Sequence, residues 1–235
     1  MRTRVRKGKA YNNLIGDVIQ RHKKYSQLLI GGINMNIEKT IESLKCNGYQ
    51  VTFFQETEDA TAYLVKELNG VTIGFGNSAT LLSMNLFERL SVHNKVIDPR
   101  HREQGKNFNE TALECVTSDV FITSVNALSS NGELVNIDGT GNRVAGTLFG
   151  HKKVYFVFGI NKIMDTLEDA IWRARNVAGP KTAKRLGLKT PCAVKVDRCY
   201  DCSSPERICN GMLIHYKKMD DVDMEVIIIN KELGF

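Results

Sequence analysis

The sequence predicts an α/β fold, a mostly parallel open sheet with helices on both faces. Three observations carry that reading. Short β-branched and aromatic runs alternate with helix-length segments whose apolar residues recur every three or four positions. Val154-Tyr155-Phe156-Val157-Phe158 is continuously apolar, as in a strand buried on both faces. Asn-Gly pairs at Asn47-Gly48 and Asn69-Gly70 close helical segments where the chain must turn.

The elements follow in order. Asn36 is placed to cap a helix bearing Ile37, Ile41 and Leu44. Gln50–Phe54 is a strand. Thr57 is placed to cap a helix with Ala60, Leu64 and Leu68, and Val71–Phe75 is the next strand. Leu82, Leu86 and Leu90 put one helical face on Ala79–Leu90. Val96-Ile97, Val120–Thr123 and Leu134–Ile137 read as strands, and Gly141–Phe149 as a helix. Asp165 with Glu168 resembles a capping box before Leu167, Ala170, Ile171 and Ala174, and Gly179-Pro180 ends that helix. Residues 180–212 are polar and lack clear periodicity. Glu225–Asn230 is the last strand.

At 235 residues and 42% hydrophobic content, the chain can build one large α/β core or two small ones. No apolar run approaches a membrane span, and no secretory core follows the basic start, so a cytoplasmic protein is expected. Residues 1–34 carry +7 of the net charge of +6, leaving the rest at −1. The basic character therefore belongs to an N-terminal extension, 1–34, ahead of a near-neutral domain, 35–235. That distribution argues against a nucleic-acid interface on the body. Homo-oligomerisation stays open.

Two stretches carry chemistry. The first is Val71-Thr72-Ile73-Gly74-Phe75-Gly76-Asn77-Ser78-Ala79-Thr80, a strand, a glycine turn, small polar residues and a helix start. Gly76 would let the backbone approach a ligand, with Asn77, Ser78 and Thr80 as donors to a phosphate or carboxylate. It equally suits a tight βα turn capped by Asn77 or Ser78. The second runs from Thr123 to Ala145. Ser124 and Asn126 precede a short strand that contains Asn136. Asp138, Gly139, Gly141, Asn142 and Arg143 follow its core. Polar residues at carboxyl ends of strands line the ligand crevice of an open α/β sheet. Asp138 could serve as a general base and Arg143 as an anion clamp. An Asn-Gly hairpin with Asp138 in an Asx-turn is the plainer alternative. Lys162 follows the buried strand and falls at the same sheet edge, as a proton-handling or simply exposed lysine.

Four of the six cysteines crowd one segment, 190–210, as Cys192-x6-Cys199-x2-Cys202-x6-Cys209. A reducing compartment disfavours disulfides, so metal binding is expected. The residues leave a [4Fe–4S] cluster, a structural zinc and free thiols all open. Lys195, Arg198 and Arg207 would offset thiolate charge. Cys46 and Cys115 read as small apolar fillers, and His101 and His151 as surface histidines.

The runs NALSSNGELVNIDGTGNRVAGTLFG, KVYFVFGINKI and KRLGLKTPCAVKVDRCYDCSSPERICN together resemble the lactate-utilisation (LUD) domain family, from about Met35 onward. Asn131–Thr140 is also similar to a pattern in methylthioribose-phosphate isomerase. The resemblance implies a fold like the pentose-phosphate isomerases and coenzyme A transferases. In those relatives the loop matching Gly74–Thr80 holds a phosphate or the coenzyme. It further implies a small anionic metabolite, lactate or a related organic acid, and an iron–sulfur partner subunit. A non-redox isomerase or transferase, or a non-catalytic subunit, is the alternative.

Overall fold

The computed structural model describes residues 33–235, so the expected basic extension lies almost wholly outside the described residues. The chain divides after Glu38, and the fold below is that of the unit from Lys39 onward. In chain order the elements are α1 (Ile33–Cys46), β1 (Gln50–Phe54), α2 (Thr57–Glu67), β2 (Thr72–Phe75), α3 (Ala79–Ser83), α4 (Leu86–Ser91) and β3 (Lys95–Ile97). Then come α5 (Phe108–Val116), β4 (Val120–Thr123), β5 (Ala127–Ser129), β6 (Leu134–Asp138), α6 (Asn142–Gly146) and β7 (Lys153–Gly159). A 3₁₀ turn (Ile160–Lys162) leads to β8 (Ile163–Met164) and α7 (Leu167–Arg173). A π-helical turn (Ala174–Ala178) joins α7 to α8 (Gly179–Arg185). Next follow α9 (Pro191–Lys195), β9 (Gly211–His215) and β10 (Asp223–Ile229).

Six strands form the main sheet in the order β1-β10-β7-β4-β2-β3. Every pairing in it is parallel. Side chains alternate across a strand, and both faces are covered. Tyr155 and Val157 therefore pack with Leu64, Phe75 and Ile227 on one face. Phe156 and Phe158 pack with Leu44, Phe121 and Ile228 on the other. This two-sided burial is why Val154–Phe158 carries no polar residue.

A second sheet, β8-β5-β6-β9, escapes the sequence reading except for β6. Its β5–β6 hairpin turns at Asn131-Gly132, with Gly132 at φ 86°. Ala127 and Val135 bury against Ala170 and Ala174 of the helical layer.

Several boundaries differ from expectation. The leucine stripe over Ala79–Leu90 spans two helices broken at Asn85, whose φ of 52° is left-handed. The expected helix over Gly141–Phe149 is only α6. Thr166, not Asp165, caps α7 by accepting from the Asp169 amide. Glu56, not Thr57, is the N-cap of α2. Gly179-Pro180 does not end the helical run. The π turn takes up the break and Pro180 sits in the first turn of α8, where a missing N–H costs nothing.

His151 is buried rather than on the surface. It stacks on Phe121 with Nδ1 2.8 Å from the Ser118 carbonyl, and burial lowers its pKa. His101 stacks on Phe87 and meets Asp98. Cys115 is a true filler, donating to the Ile97 carbonyl, but Cys46 is exposed at its helix end.

Candidate functional site

In a parallel sheet all carboxyl ends point to one edge. The turns after β2, β4 and β7 deliver Asn77-Ser78, Ser124–Asn126 and Lys162 there. The loop between β6 and α6 approaches from the second sheet with Asp138, Gly139, Thr140, Asn142 and Arg143. Together they line a cleft of about 360 Å³, with Arg185 of α8 on a further wall.

Lys162 is the chemical centre of this edge. It is 3% exposed, and three oxygens ring its Nζ: Ser124 Oγ at 2.9 Å, Thr80 Oγ1 at 3.1 Å and the Val125 carbonyl at 3.1 Å. Burial first, then the Arg173 and Arg143 charges, hold its pKa well below the ordinary lysine value. Lys162 therefore gives up its proton more readily than an exposed lysine does. Arg173 is buried with it, donating to the Asn161 and Asn126 carbonyls. Desolvation pushes Arg173 down to about 10.

Arg143 is an organiser. It donates to Asn136 Oδ1 at 3.2 Å, Asn126 Oδ1 at 3.0 Å and the Ile137 carbonyl, and its Nε lies 3.7 Å from Asp138. Its nitrogens already face protein acceptors. Asp138 accepts from the backbone amides of Gly141 and Val144, so its carboxylate pins the turn into α6. That is the Asx-type geometry weighed above, in a residue that still lines the cleft. Asn126 Oδ1 accepts from Arg143 and the Ile137 amide, which leaves its Nδ2 to donate outward.

Other expected site residues sit differently. Asn136 is fully buried and anchors Arg143 rather than lining the cleft. Thr80 is fully buried and acts through Lys162. Gly141 adopts φ 90° to shape the turn. Gly76 serves packing: a Cβ there would meet Thr123 Oγ1 at 2.5 Å and Arg143 Cγ at 3.0 Å. The glycine lets the chain pass close to Thr123 and Arg143. Ser78 caps α3 by accepting from the Leu81 amide, so its hydroxyl hydrogen is left for the cleft. Arg173 and Arg185 were missed by sequence reasoning. Both lie on the helical run after β8, with no local motif around them.

The four clustered cysteines gather around a second pocket of about 330 Å³. Cys192, Cys199, Cys202 and Cys209 are all unpaired and partly exposed. Arg207 donates to the Cys202 and Cys209 carbonyls, and Arg175 reaches Cys199 Sγ at 3.8 Å. The Asp201 amide also points at Cys199 Sγ, at 3.4 Å. Arg175 and Arg207 thus supply positive charge to the thiols. Lys195 and Arg198, expected in that role, lie over the Tyr200 ring.

The donor set suits a soft metal. Among the described residues no three His, Cys, Asp or Glu groups converge tightly enough to hold one ion. A tetrahedral zinc would need its sulfurs about 3.8 Å apart, from a Zn–S bond of about 2.3 Å.

The two pockets adjoin. Ile137, Gly179, Ile208 and Cys209 line both. A Cβ on Gly139 would fall 2.8 Å from the Ile208 carbonyl, so the cysteine segment lies directly on the cleft turn.

An open parallel α/β sheet with a polar cleft at its carboxyl edge and a thiol-lined pocket beside it defines the class. A family model described as the LUD domain matches residues 37–229, and the chain belongs to that family. The fold is also similar to the crystal structure of a DUF162 family protein from Deinococcus radiodurans. That match has a TM-score of 0.51 at 12% identity, covering 85% of this chain and 99% of that one. No curated protein matches. Among the described residues no helix is long and apolar enough to cross a membrane.

Proposed function

We propose that this LUD domain protein binds a small organic acid of the lactate type in the cleft and holds an iron–sulfur centre in the thiol pocket. The observation that carries the reading is the shared wall, Ile137, Gly179, Ile208 and Cys209, which sets an anion site against a four-thiol site. Ser78, Asn126 Nδ2 and Asn142 orient the carboxylate. Lys162, held by Thr80 and Ser124, is placed to accept the proton of a hydroxyl next to that carboxylate, while the Cα hydrogen and the two electrons of the oxidation would go to a two-electron acceptor on a partner subunit. Asp138 and Arg143 keep the turn that presents Asn142 in place. Cys192, Cys199, Cys202 and Cys209 would ligate the centre, with Arg175 and Arg207 offsetting its charge. Such a centre supplies single-electron transfer when bound. A partner subunit that carries further clusters would take the electrons onward.

Anaerobic purification with iron, sulfide and zinc assays tests this. Iron and sulfide near about four per chain, with a broad band near roughly 400 nm, are expected. Calorimetric titration of the same sample with lactate or another 2-hydroxy acid should give saturable binding. One zinc and no colour would turn the pocket into a structural staple. The second reading, a non-redox isomerase or transferase, is favoured by Lys162 itself, a buried amine whose lowered pKa suits it to moving a proton at carbon. Solvent deuterium entering a sugar phosphate without any metal would select it.

A further inference from the structure

Arg185 stands apart from the other cationic groups at the cleft. Arg143 and Arg173 are engaged by protein oxygens, and Lys162 is ringed by three. Arg185 has one side-chain partner, Asn77 Oδ1 at 3.2 Å, and its Nε is buried with no partner among the described residues. Behind it stands Arg100. That guanidinium grips the fully buried Asp98 carboxylate through Nε at 3.1 Å and an Nη at 2.6 Å, and its other Nη is likewise buried and unpartnered. Burial first, and then the Arg100 charge, lower the Arg185 pKa. Buried donors without acceptors are costly, and like charges in one place more so, unless an anion completes the set.

Arg185 and Asn77 line the same space as Lys162, Ser124 and Asn126. With Asn77 Oδ1 committed to Arg185, its Nδ2 is left to donate.

We propose that Arg185 and Asn77 form a subsite for a second anionic group, so that the substrate is a 2-hydroxy acid carrying a further carboxylate or phosphate. The inference rests on the cleft being an organic-acid site. The guanidinium would take two oxygens of that group side by side, the fork geometry that sets arginine apart from lysine.

The test is calorimetric titration of the full chain, purified anaerobically, with L-lactate, L-malate and 3-phosphoglycerate. The three share the 2-hydroxy acid head and differ in the second group. The wild type should bind malate or phosphoglycerate at least about tenfold tighter than lactate, as expected of a site built to meet that group. The tighter of the two identifies carboxylate or phosphate. Arg185→Gln should bring the ratio close to one. Arg185→Lys, which keeps the charge but not the fork, should give an intermediate ratio with a wild-type melting temperature. A wild-type ratio near one, or a ratio that Arg185→Gln leaves unchanged, overturns the subsite while the acid site stands. Failure of all three acids to bind overturns the cleft reading, and the subsite with it.

Discussion

The cleft and the thiol pocket share a wall but are built in opposite ways. The cleft is ordered by its own side chains. Arg143 ties Asn126, Asn136 and the Ile137 carbonyl together, Asp138 pins the turn, and Lys162 sits among three oxygens. These contacts join strands of both sheets and are largely buried. The thiol pocket is different. Residues 196–210 contain no helix or strand, and their contacts are mostly at the surface. The contrast teaches that the cleft is preorganised by its own buried contacts, whereas the cysteine segment would gain most of its order from the centre proposed for its thiols.

The most damaging way to break that contrast is Arg143→Ala. It strands the Asp138 carboxylate and the acceptors of Asn126 and Asn136 in a site where Arg143 and Asp138 side chains are 12% and 11% exposed. Removing one partner of such a buried set costs about 3–5 kcal/mol. Urea unfolding should show that loss, and calorimetric titration should show no acid binding. A loss below about 1 kcal/mol would mean that the cleft is not self-ordered.

Gly139→Ala attacks the join instead. Its Cβ would press on the Ile208 carbonyl, a backbone atom that cannot swing away. The expected cost is about 1–3 kcal/mol. Both sites should suffer together: weaker acid binding and lower iron content from one methyl group. Damage confined to either pocket would show that the shared wall does not couple them.

Cys202→Ser should do less to the whole molecule. Both cores lie away from the cysteine segment, so the global unfolding free energy should move by less than about 1 kcal/mol. Amide exchange across residues 196–210 should nevertheless rise sharply, and bound metal should fall. A global collapse would contradict the contrast, because it would make the centre part of the fold's foundation.

The same contrast explains what the sequence disclosed. The parallel strands were legible because burial on both faces leaves a continuous apolar signature, as at Val154–Phe158 and Val226–Ile229. The second sheet was not, apart from β6. Ala127–Ser129 and Ile163–Met164 are too short to show a period, and Gly211–His215 hides at the end of a polar stretch. The leucine stripe runs unbroken past Asn85 because its spacing survives a kink that only φ reveals. Asp138, Asn142, Arg143 and Lys162 were legible as a polar set at strand ends, though not that Arg143 binds protein. Arg185 could not be read at all. It reaches Asn77 across more than a hundred residues, and no local spacing records that contact.

The smallest effect sharpens the description of the cleft as preorganised around a buried amine whose pKa is lowered. In the fold Lys162 has lost its proton at a pH where an unfolded lysine, near 10.4, still holds one. The unfolded chain then binds more protons, so stability rises with pH between the depressed folded value and about 10.4, and levels off above. Cys115 works in the opposite direction. Burial pushes its thiol up to about 11, so the fold retains a proton that the unfolded chain releases, and stability falls as pH rises past the ordinary thiol value. The comparison is therefore between wild type and Lys162→Met, in which the Cys115 contribution cancels. Methionine fills the stem's volume without a charge and leaves Thr80 and Ser124, 3.4 Å apart, to pair with each other. Denaturant midpoints from pH 7 to 10 should rise more steeply in the wild type, by at most one proton's worth, about 1.4 kcal/mol per pH unit. Parallel curves would mean that Lys162 carries its proton in the fold. The amine could then anchor an anion but could not accept a proton from it.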